Sequence, residues 1–248
     1  MKVSIVTATY NSSATVLDTL KSLDEQTYED IEYIVIDGGS SDDTVSVIQQ
    51  NCARVTTIVS EPDNGIYDAL NKGIANASGD VVGFLHSDDL FAYPDAVKDL
   101  VDTLVRNNAQ AVYADLEYVS KDDTTKVIRK WVSGEYDQQK LRFGWMPPHP
   151  TFFMKKELYL KHGQFDLSLK IAADYDSLLR YLWSNKIKAT YLPKVVTKMR
   201  VGGASNRSLK NIFEKTKEDI QALKNNQLFW PTALVIKNIS KIPQFFKR

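Results

Sequence analysis

The stretch from residue 84 to residue 90 reads Phe84-Leu85-His86-Ser87-Asp88-Asp89-Leu90. Its first residues have the apolar character of a buried strand, which runs directly into two adjacent carboxylates. Neighbouring carboxylates at the end of a core strand repel each other and lose hydration, so a cation or a helix N-terminus usually compensates them. Taken alone, the stretch leaves two interpretations open: a helix or turn cap, since Tyr93-Pro94 lies just beyond, and a metal site.

Three strand-and-helix units precede this stretch. Strands are predicted at residues 3–7, 33–36 and 55–59, each followed by apolar residues at helical spacing, and residues 81–85 form a fourth strand. Such alternation predicts right-handed crossovers and a mostly parallel sheet, whose ligands bind beyond the carboxyl ends of the strands. Asp37, the 61–65 loop and the two aspartates after the fourth strand would all lie at that edge, which predicts a cleft there.

After Asp89 the pattern changes. The sequence predicts a helix at 96–105, a strand at 111–113, a hairpin between 116–119 and 126–128, a strand at 151–154, and a strand pair over 191–201 broken at Pro193. Residues 134–150 have no clear periodicity, and loops of this length are often lids or binding loops. The expected fold is α/β: a Rossmann-like, mostly parallel sheet with helices on both faces, joined to a smaller mixed or antiparallel part.

Composition places the chain among ordinary globular proteins. Its 248 residues are 43% hydrophobic and 25% charged, and the formal net charge of +0 gives no reason to expect a nucleic-acid partner. The single cysteine, Cys52, cannot form an internal disulfide and fits a reducing compartment. No signal peptide and no run of roughly 20 apolar residues is evident, so a cytoplasmic location is expected.

Two common nucleotide-binding motifs are missing. Neither G-x-G-x-x-G nor G-x-x-x-x-G-K-[ST] occurs in the sequence. Asp88 and Asp89 also lack His or Cys neighbours at metal-site spacing, which argues against a closed zinc site. Two hard oxygen donors with open coordination positions suit Mg²⁺ or Mn²⁺ held jointly by carboxylate and a substrate diphosphate.

Seven segments in this order resemble the motifs of glycosyltransferase family 2. They are residues 7–11, 37–44, 63–65, 71–74, 77–80, 86–89 and 173–176. The resemblance runs from the N-terminus to about Gly203. It implies the GT-A fold, a nucleoside-diphosphate sugar donor with UDP as the expected nucleotide, a divalent cofactor (Mn²⁺ or Mg²⁺), and inversion at the anomeric centre.

The resemblance also assigns donor-side roles. Thr7, Thr9 and Tyr10 would line the nucleotide pocket, and Asp37 would hydrogen-bond the base. Many members carry Arg where this chain has Leu70. Lys72 is close enough to supply that positive charge to the nucleotide, although a solvated lysine on the helix face is the alternative.

The reacting centre would be built from aspartates. By the same resemblance Asp89 binds the metal, Asp88 serves the ribose side and shares the metal site, and Asp174 is the catalytic base. Residues two apart on a helix do not share a face, so only one of Asp174 and Asp176 should enter the cleft. Asp176 is the reserve candidate for the base, and helix capping is the alternative role for both.

Two further positions stay open. His86 stands where many members have an acidic residue, which leaves the metal and ribose contacts undetermined. His149 and Trp145, in the irregular 134–150 segment, are candidates for contact with the acceptor or the diphosphate; for His149 the alternative is a histidine held by loop packing.

The C-terminal stretch carries a separate pattern. From residue 220 onward there is no Asp or Glu, and basic residues accompany many apolar and aromatic ones. This composition suits a membrane surface, and a helix docked on the domain or on a dimer partner is the alternative. The expected layout is one domain over 1–219, with a nucleotide-binding half to about 115 and an acceptor-side half over 116–219, followed by a basic and aromatic amphipathic extension over 220–248.

The sequence therefore predicts a metal-dependent inverting glycosyltransferase. Its acceptor would be a hydroxyl of a glycan or lipid-linked saccharide in surface-polysaccharide or glycoconjugate synthesis, with the enzyme cytoplasmic or peripheral on the inner face of the membrane. Two alternatives stay open: a non-catalytic protein that binds nucleotide sugars, and a sugar-nucleotide pyrophosphorylase, whose Gly-rich basic loop is missing after Val6.

Overall fold

The computed structural model describes residues 1–202 and 209–239. Its first half alternates strands and helices: β1 (Val3–Thr9), α1 (Val16–Asp24), β2 (Ile31–Asp37), α2 (Thr44–Asn51), β3 (Val55–Ser60), α3 (Ile66–Asn76) and β4 (Val81–Phe84). The four strands lie in the order β3-β2-β1-β4, and every pairing among them is parallel. The doubly wound sheet expected from the alternation is confirmed.

The second half extends the same sheet with mixed strand directions. It contains β5 (Leu90–Phe91), α4 (Ala96–Arg106), β6 (Ala111–Val119), β7 (Val127–Trp131), β8 (Phe153–Lys155), α5 (Lys156–His162), α6 (Ala173–Leu179), β9 (Ala189–Arg200), α7 (Leu209–Asn225) and α8 (Trp230–Ile239). The order continues β4-β8-β6-β9-β5, with β7 also paired to β6. β8 runs antiparallel to both neighbours, whereas β6 and β9 are parallel.

Two predicted strands differ in detail. The segment over 191–201 is not a broken pair but one strand, β9, whose register against β6 shifts around Pro193: Leu192 is opposite Ala114, and Val195 is opposite Asp115. Proline has no N–H to donate to a sheet ladder, so it is accommodated in a bulge. The strand predicted from residue 151 begins only at Phe153, because residues 149–151 form a 3-10 turn.

Both faces of the parallel part are covered. Every residue of β1 is buried, and alternate residues belong to different apolar clusters, Val6 to one and Ile5 to the other. α3 packs closely on one face because residue 73 is glycine: an added Cβ would collide with the Val6 side chain. This packing fixes where the N-terminus of α3 meets the carboxyl edge of the sheet.

The two C-terminal helices pack on the domain. The boundary expected between residues 219 and 220 falls inside α7, and the buried side chains of Ala222, Leu223 and Ala233 belong to the same apolar cluster as α6. Gly144 lies so close to the Ala233 carbonyl that no Cβ would fit. Residues 240–248 of the expected extension, and Gly203, lie outside the described residues. Over the part described, no helix has the length and apolar character needed to cross a bilayer.

Candidate active site

A cavity of about 470 Å³ opens at the carboxyl edge of the parallel strands. It lies where β1 and β2 end, beside the loop after β3, the start of α3 and the turn after β4. Its volume is within the range of small-molecule sites. The lining residues are Ala8, Thr9, Tyr10, Ser12, Gly38, Asp63, Gly65, Ile66, Ala69 and Ser87.

The threonines of β1 have different roles. Thr9 and Tyr10 line the cavity; the buried Thr9 hydroxyl has no hydrogen-bond partner among the described residues, and Tyr10 is 63% exposed. Thr7 does not reach the cavity. Its hydroxyl donates to the Leu85 carbonyl at 2.5 Å and accepts from the Tyr33 hydroxyl at 2.9 Å, so it ties β1 to the end of β4 beneath the site.

Asp37 is buried below its own turn. Its carboxylate accepts the N–H groups of Gly39 and Ser40 at 3.1 and 3.0 Å and the Ser60 hydroxyl at 2.7 Å. The carboxylate that faces the cavity is Asp63, which lies against Gly38 and accepts the Gly65 N–H at 2.8 Å. Asp63 therefore lines the cavity, whereas Asp37 does not.

Lys72 lies outside the cavity, behind the loop that carries Asp63. Its ammonium pairs with Glu61 at 2.7 Å and donates to the Pro62 carbonyl at 3.3 Å. The hydrogen bond to Glu61 is the main reason that the pKa of Lys72 is raised. Leu70 lies on the same helix, at the position where many family members carry Arg. It is fully buried in the core and cannot contact a nucleotide.

The two aspartates after β4 are in different environments. Asp88 is half-buried, whereas Asp89 is 1% exposed and neither of its carboxylate oxygens has a hydrogen-bond partner within residues 1–202 and 209–239. Burial and the Asp88 charge raise the pKa of Asp89 well above its usual range, and Arg200 opposes the rise. Arg200 also donates to the Asp88 carbonyl at 2.8 Å and pairs with Asp18 at 2.5 Å, which holds this turn against β9.

The donor set fits a divalent cation. A buried carboxylate with two unsatisfied oxygens is costly by itself, and a hard cation would satisfy both. Within the described residues no group of three or more His, Cys, Asp or Glu side chains surrounds the position. A cation bound by Asp89 and Asp88 would therefore complete its coordination with substrate or water oxygens.

The two histidines of interest are packed together. His149 is stacked between Phe84 and His86, with ring centroids 5.0 and 6.1 Å away, and burial lowers its pKa to about 3. Burial also lowers the pKa of His86, so both rings are neutral at pH 7. Trp145 donates to the Ser133 carbonyl at 3.1 Å and packs against the rings of Tyr113 and Tyr136. Neither His149 nor Trp145 lines the cavity.

Asp174 and Asp176 lie in the first turn of α6 and make different contacts. The half-buried Asp174 accepts the Tyr175 N–H at 2.8 Å and the Tyr67 hydroxyl at 3.2 Å, both at Oδ1. Asp176 is 4% exposed, is held by Arg180 at 3.4 Å and Asn226 at 3.2 Å, and lines a separate polar cavity of about 260 Å³. This separation follows the helical spacing that the sequence suggested.

Electrostatics link Asp174 to the turn after β4. The negative charges of Asp88 and Asp174 both act on His86, where they oppose the lowering of its pKa by burial. Burial raises the pKa of Tyr118 on β6, and the negative charges of Asp89 and Asp174 add to the rise. Asp174 and the aspartates after β4 therefore lie within electrostatic range of the same two side chains, His86 and Tyr118.

Sequence reasoning missed several residues that shape this site. Tyr67 contacts Asp174, Arg200 supports the Asp88–Asp89 turn, and Glu218 on α7 accepts three backbone N–H groups, those of Lys170, Ile171 and Ala172, at 2.7–3.0 Å. No local motif signals these contacts. The Glu218 carboxylate also lies next to the N-terminus of α6, which begins at Ala173, where the helix dipole favours a negative charge.

Comparisons with known proteins agree with the resemblance in sequence. The model of the family described as Glycosyl transferase family 2 matches residues 4–163. An uncharacterized glycosyltransferase of Mycobacterium tuberculosis is 37% identical over 180 residues, which are 72% of this chain and 68% of the relative. The PGL/p-HBAD biosynthesis glycosyltransferase of Mycobacterium bovis is 28% identical over 217 residues, 86% of this chain and 82% of the relative.

Solved structures share the fold. S. aureus TarS 1-349 in complex with UDP has a TM-score of 0.70 at 21% identity, covering 96% of this chain and 70% of that one. The mannosyltransferase PcManGT from Pyrobaculum calidifontis, in complex with GDP-Man and Mn²⁺, has a TM-score of 0.67 at 18% identity, covering 97% and 69%. Against a longer TarS chain, the match spans 44% of that protein. These likenesses confirm the expected α/β fold.

Proposed function

Because the chain belongs to glycosyltransferase family 2 and is an enzyme that transfers sugars, we propose that it moves a sugar from UDP to an acceptor hydroxyl with inversion, assisted by Mn²⁺ or Mg²⁺. The acceptor class that we propose is a glycan or lipid-linked saccharide. The family match and the relatives named glycosyltransferases favour sugar transfer over the pyrophosphorylase and the non-catalytic binding protein.

The observation that carries the proposal is the buried carboxylate of Asp89, which accepts no hydrogen bond from the described residues and, like Asp174, acts electrostatically on Tyr118. A cation there would neutralise the charge that develops on the departing diphosphate. In this proposal Asp63, Thr9 and Tyr10 contact the donor, which is supported by their lining the cavity at the sheet edge. Donor complexes of the fold relatives, with UDP and with GDP-Man, support a nucleotide-sugar ligand in this cavity.

Asp174 performs the proton transfer in this proposal. Its Oδ1 is held by two hydrogen bonds, and Oδ2 takes the proton of the acceptor hydroxyl. The acceptor oxygen then bonds to the anomeric carbon while the bond from that carbon to the diphosphate breaks, and the electron pair leaves with the nucleotide. A single displacement at the opposite face inverts the configuration.

Hydrolysis and transfer assays with a panel of nucleotide sugars and Mn²⁺ test this function. Asp174→Asn should lower turnover by roughly 10²–10⁴-fold, because a general base contributes about that much, while UDP binding persists. Asp176→Asn, on the other side of α6, is the matched control and should retain turnover. Full activity in Asp174→Asn, or binding of nucleotide sugars without any turnover in the unmodified chain, would contradict the proposal.

We also propose that the enzyme meets its acceptor at a membrane surface, which α8 would contact. On α8 the side chains of Val235, Ile236 and Ile239 are exposed and share one face, whereas Ala233 and Leu234 are buried against the domain. The residues beyond the described part, 240–248, add three basic and three large apolar side chains and no acidic one. An exposed apolar face next to a basic segment suits an anionic bilayer, where a lipid-linked acceptor would lie.

A further inference from the structure

Tyr67 connects the helix of the donor cavity to the candidate base. It lies on α3, whose residues Ile66 and Ala69 line the cavity. Its hydroxyl oxygen is 2.8 Å from the Ile171 carbonyl oxygen and 3.2 Å from Oδ1 of Asp174. One phenol group therefore lies within hydrogen-bond distance of two acceptors, one of which is the proposed base.

The two contacts compete for a single proton. A phenol has one O–H, and neither a backbone carbonyl nor an ionised carboxylate can donate to it. Burial and the charge of Asp174 raise the pKa of Tyr67 well above its usual range, so the hydroxyl keeps its proton. A bond to an ionised carboxylate is stronger than one to a neutral acceptor, so the preferred acceptor depends on whether Asp174 carries a proton.

The second acceptor is held in place from the other side. The N–H of Ile171 donates to Glu218 on α7 at 2.7 Å, and the neighbouring N–H groups of Lys170 and Ala172 donate to the same carboxylate. The peptide segment before α6 is thus anchored by α7. The Ile171 carbonyl remains available to Tyr67 when Asp174 becomes protonated, so the phenol keeps a partner in both states of the base.

We propose that Tyr67 is a positioning residue for Asp174: its hydroxyl holds Oδ1 while the base is ionised, and transfers its hydrogen bond to the Ile171 carbonyl once the base has taken the acceptor proton. This inference rests on the proposed function, in which Asp174 is the base. Oδ1 is also occupied by the Tyr175 N–H, and Oδ2 accepts no hydrogen bond from the described residues, so Oδ2 is the oxygen that faces the acceptor.

Other groups also act on Asp174. Burial raises its pKa and the Asp219 charge on α7 adds to the rise, while the Tyr175 N–H, the Lys237 ammonium on α8 and the Tyr67 hydroxyl lower it. Its charge also acts on His86 in the turn after β4 and on Tyr118 of β6, and the Glu218 charge acts on Tyr67. Removing only the Tyr67 hydroxyl should therefore raise the pKa of Asp174 and leave the other contributions in place.

The test compares Tyr67→Phe with the unmodified chain in donor hydrolysis with Mn²⁺, measured from pH 4 to pH 9. We expect the acid limb of the kcat profile to move to higher pH by about one unit, since a hydrogen bond to a charged group is worth roughly that much. The affinity for UDP should stay unchanged. Tyr181→Phe is the matched control, because the Tyr181 hydroxyl also donates to a carbonyl, that of Gly163, but does not contact Asp174.

A second substitution predicts the opposite shift. 3-Fluorotyrosine placed at position 67 is a stronger donor of nearly the same shape, so the acid limb should move to lower pH. An unchanged acid limb in both variants, with Asp174→Asn inactive, would overturn the role of Tyr67 and leave the proposed function standing. Full activity of Asp174→Asn would instead overturn the assignment of the base itself.

Discussion

Two buried aspartates at strand ends show how the same residue takes different roles. Asp37 accepts hydrogen bonds from its own turn and from Ser60, so its charge is compensated by the protein. Asp89 is as deeply buried but has no such partner among the described residues. A buried carboxylate with no hydrogen-bond partner for its oxygens lowers stability even beside Arg200, and a bound cation would offset that cost.

Asp89→Asn tests two effects of this carboxylate: the destabilisation caused by its burial and its proposed binding of a cation. Without metal, we expect the variant to be more stable than the unmodified chain by about 1–3 kcal/mol, since burial and the Asp88 charge oppose ionisation of Asp89 by more than Arg200 favours it. Thermal unfolding with and without UDP and Mn²⁺ measures both effects, and only the unmodified chain should gain stability from Mn²⁺. Asp102→Asn, at a half-exposed position on α4, is the control with little expected effect. Lower stability of metal-free Asp89→Asn would contradict the interpretation.

At the scale of elements, Glu32 joins parts of the sheet that are distant in sequence. From β2 it accepts the Ser4 hydroxyl of β1 at 2.5 Å, the Ser78 N–H of the turn before β4 at 2.7 Å, and the Lys2 ammonium at 3.1 Å. Burial raises the pKa of Glu32, but the hydrogen bonds from Ser4, Ser78 and Lys2 outweigh it and lower the value to about 2. The central strands are thus tied at the edge opposite the cavity.

This contribution to stability depends on pH. Because the pKa is lower in the folded chain than its ordinary 4.5, the stabilisation is fully present above about pH 4.5 and is lost as pH falls towards 2. Glu32→Gln should lower the free energy of unfolding at pH 7 by about 2 kcal/mol and flatten its fall below pH 4.5. Denaturant unfolding over that pH range measures it, with the exposed Glu29→Gln as control. If the free energy of unfolding fell equally in Glu32→Gln and Glu29→Gln, this stabilising role of Glu32 would be refuted.

At the scale of the whole molecule, α7 and α8 do more than extend the domain. Glu218 anchors the segment before Asp174, and Lys237 is buried, pairs with Asp219 at 2.9 Å and lies 3.3 Å from the Tyr175 ring centroid. Lys237 was among the basic residues that suggested a membrane surface, yet it faces the domain. The part of α8 that can meet a bilayer is its outer apolar face.

The membrane proposal can be tested on that face. Replacing Val235, Ile236 and Ile239 together with Gln should weaken binding to vesicles that contain anionic lipid by tenfold or more, because three exposed apolar side chains would no longer enter the interface. Vesicle sedimentation at low and high salt separates the apolar and electrostatic contributions to binding, because salt screens only the latter. The same change at Val105, Val132 and Leu160, which are exposed elsewhere, is the control. Equal binding by both triple variants would argue against a membrane role for α8.

The sequence by itself determined the parallel sheet and the edge at which the cavity opens. Both depend on local spacing: strand and helix periodicity sets the elements, and right-handed crossovers bring successive strand ends to one edge. The separation of Asp174 from Asp176 followed equally from helical geometry. The predicted break of the strand at Pro193 was wrong, because a bulge lets one strand continue past a residue that has no backbone N–H to donate.

Only the tertiary structure decided which polar groups are already satisfied and which are left for a ligand. Thr7 and Asp37 match family motifs, yet their contacts with Leu85 and Ser60 turn both away from the cavity. Tyr67 meets Asp174 across 107 positions of the chain, and no local pattern records such a contact. The two aspartates after β4 could be identified from their neighbours in sequence. The burial of Asp89 without a hydrogen bond from the described residues, which favours the proposed cation site over a cap, depends on the contacts of this turn with α1 and β9.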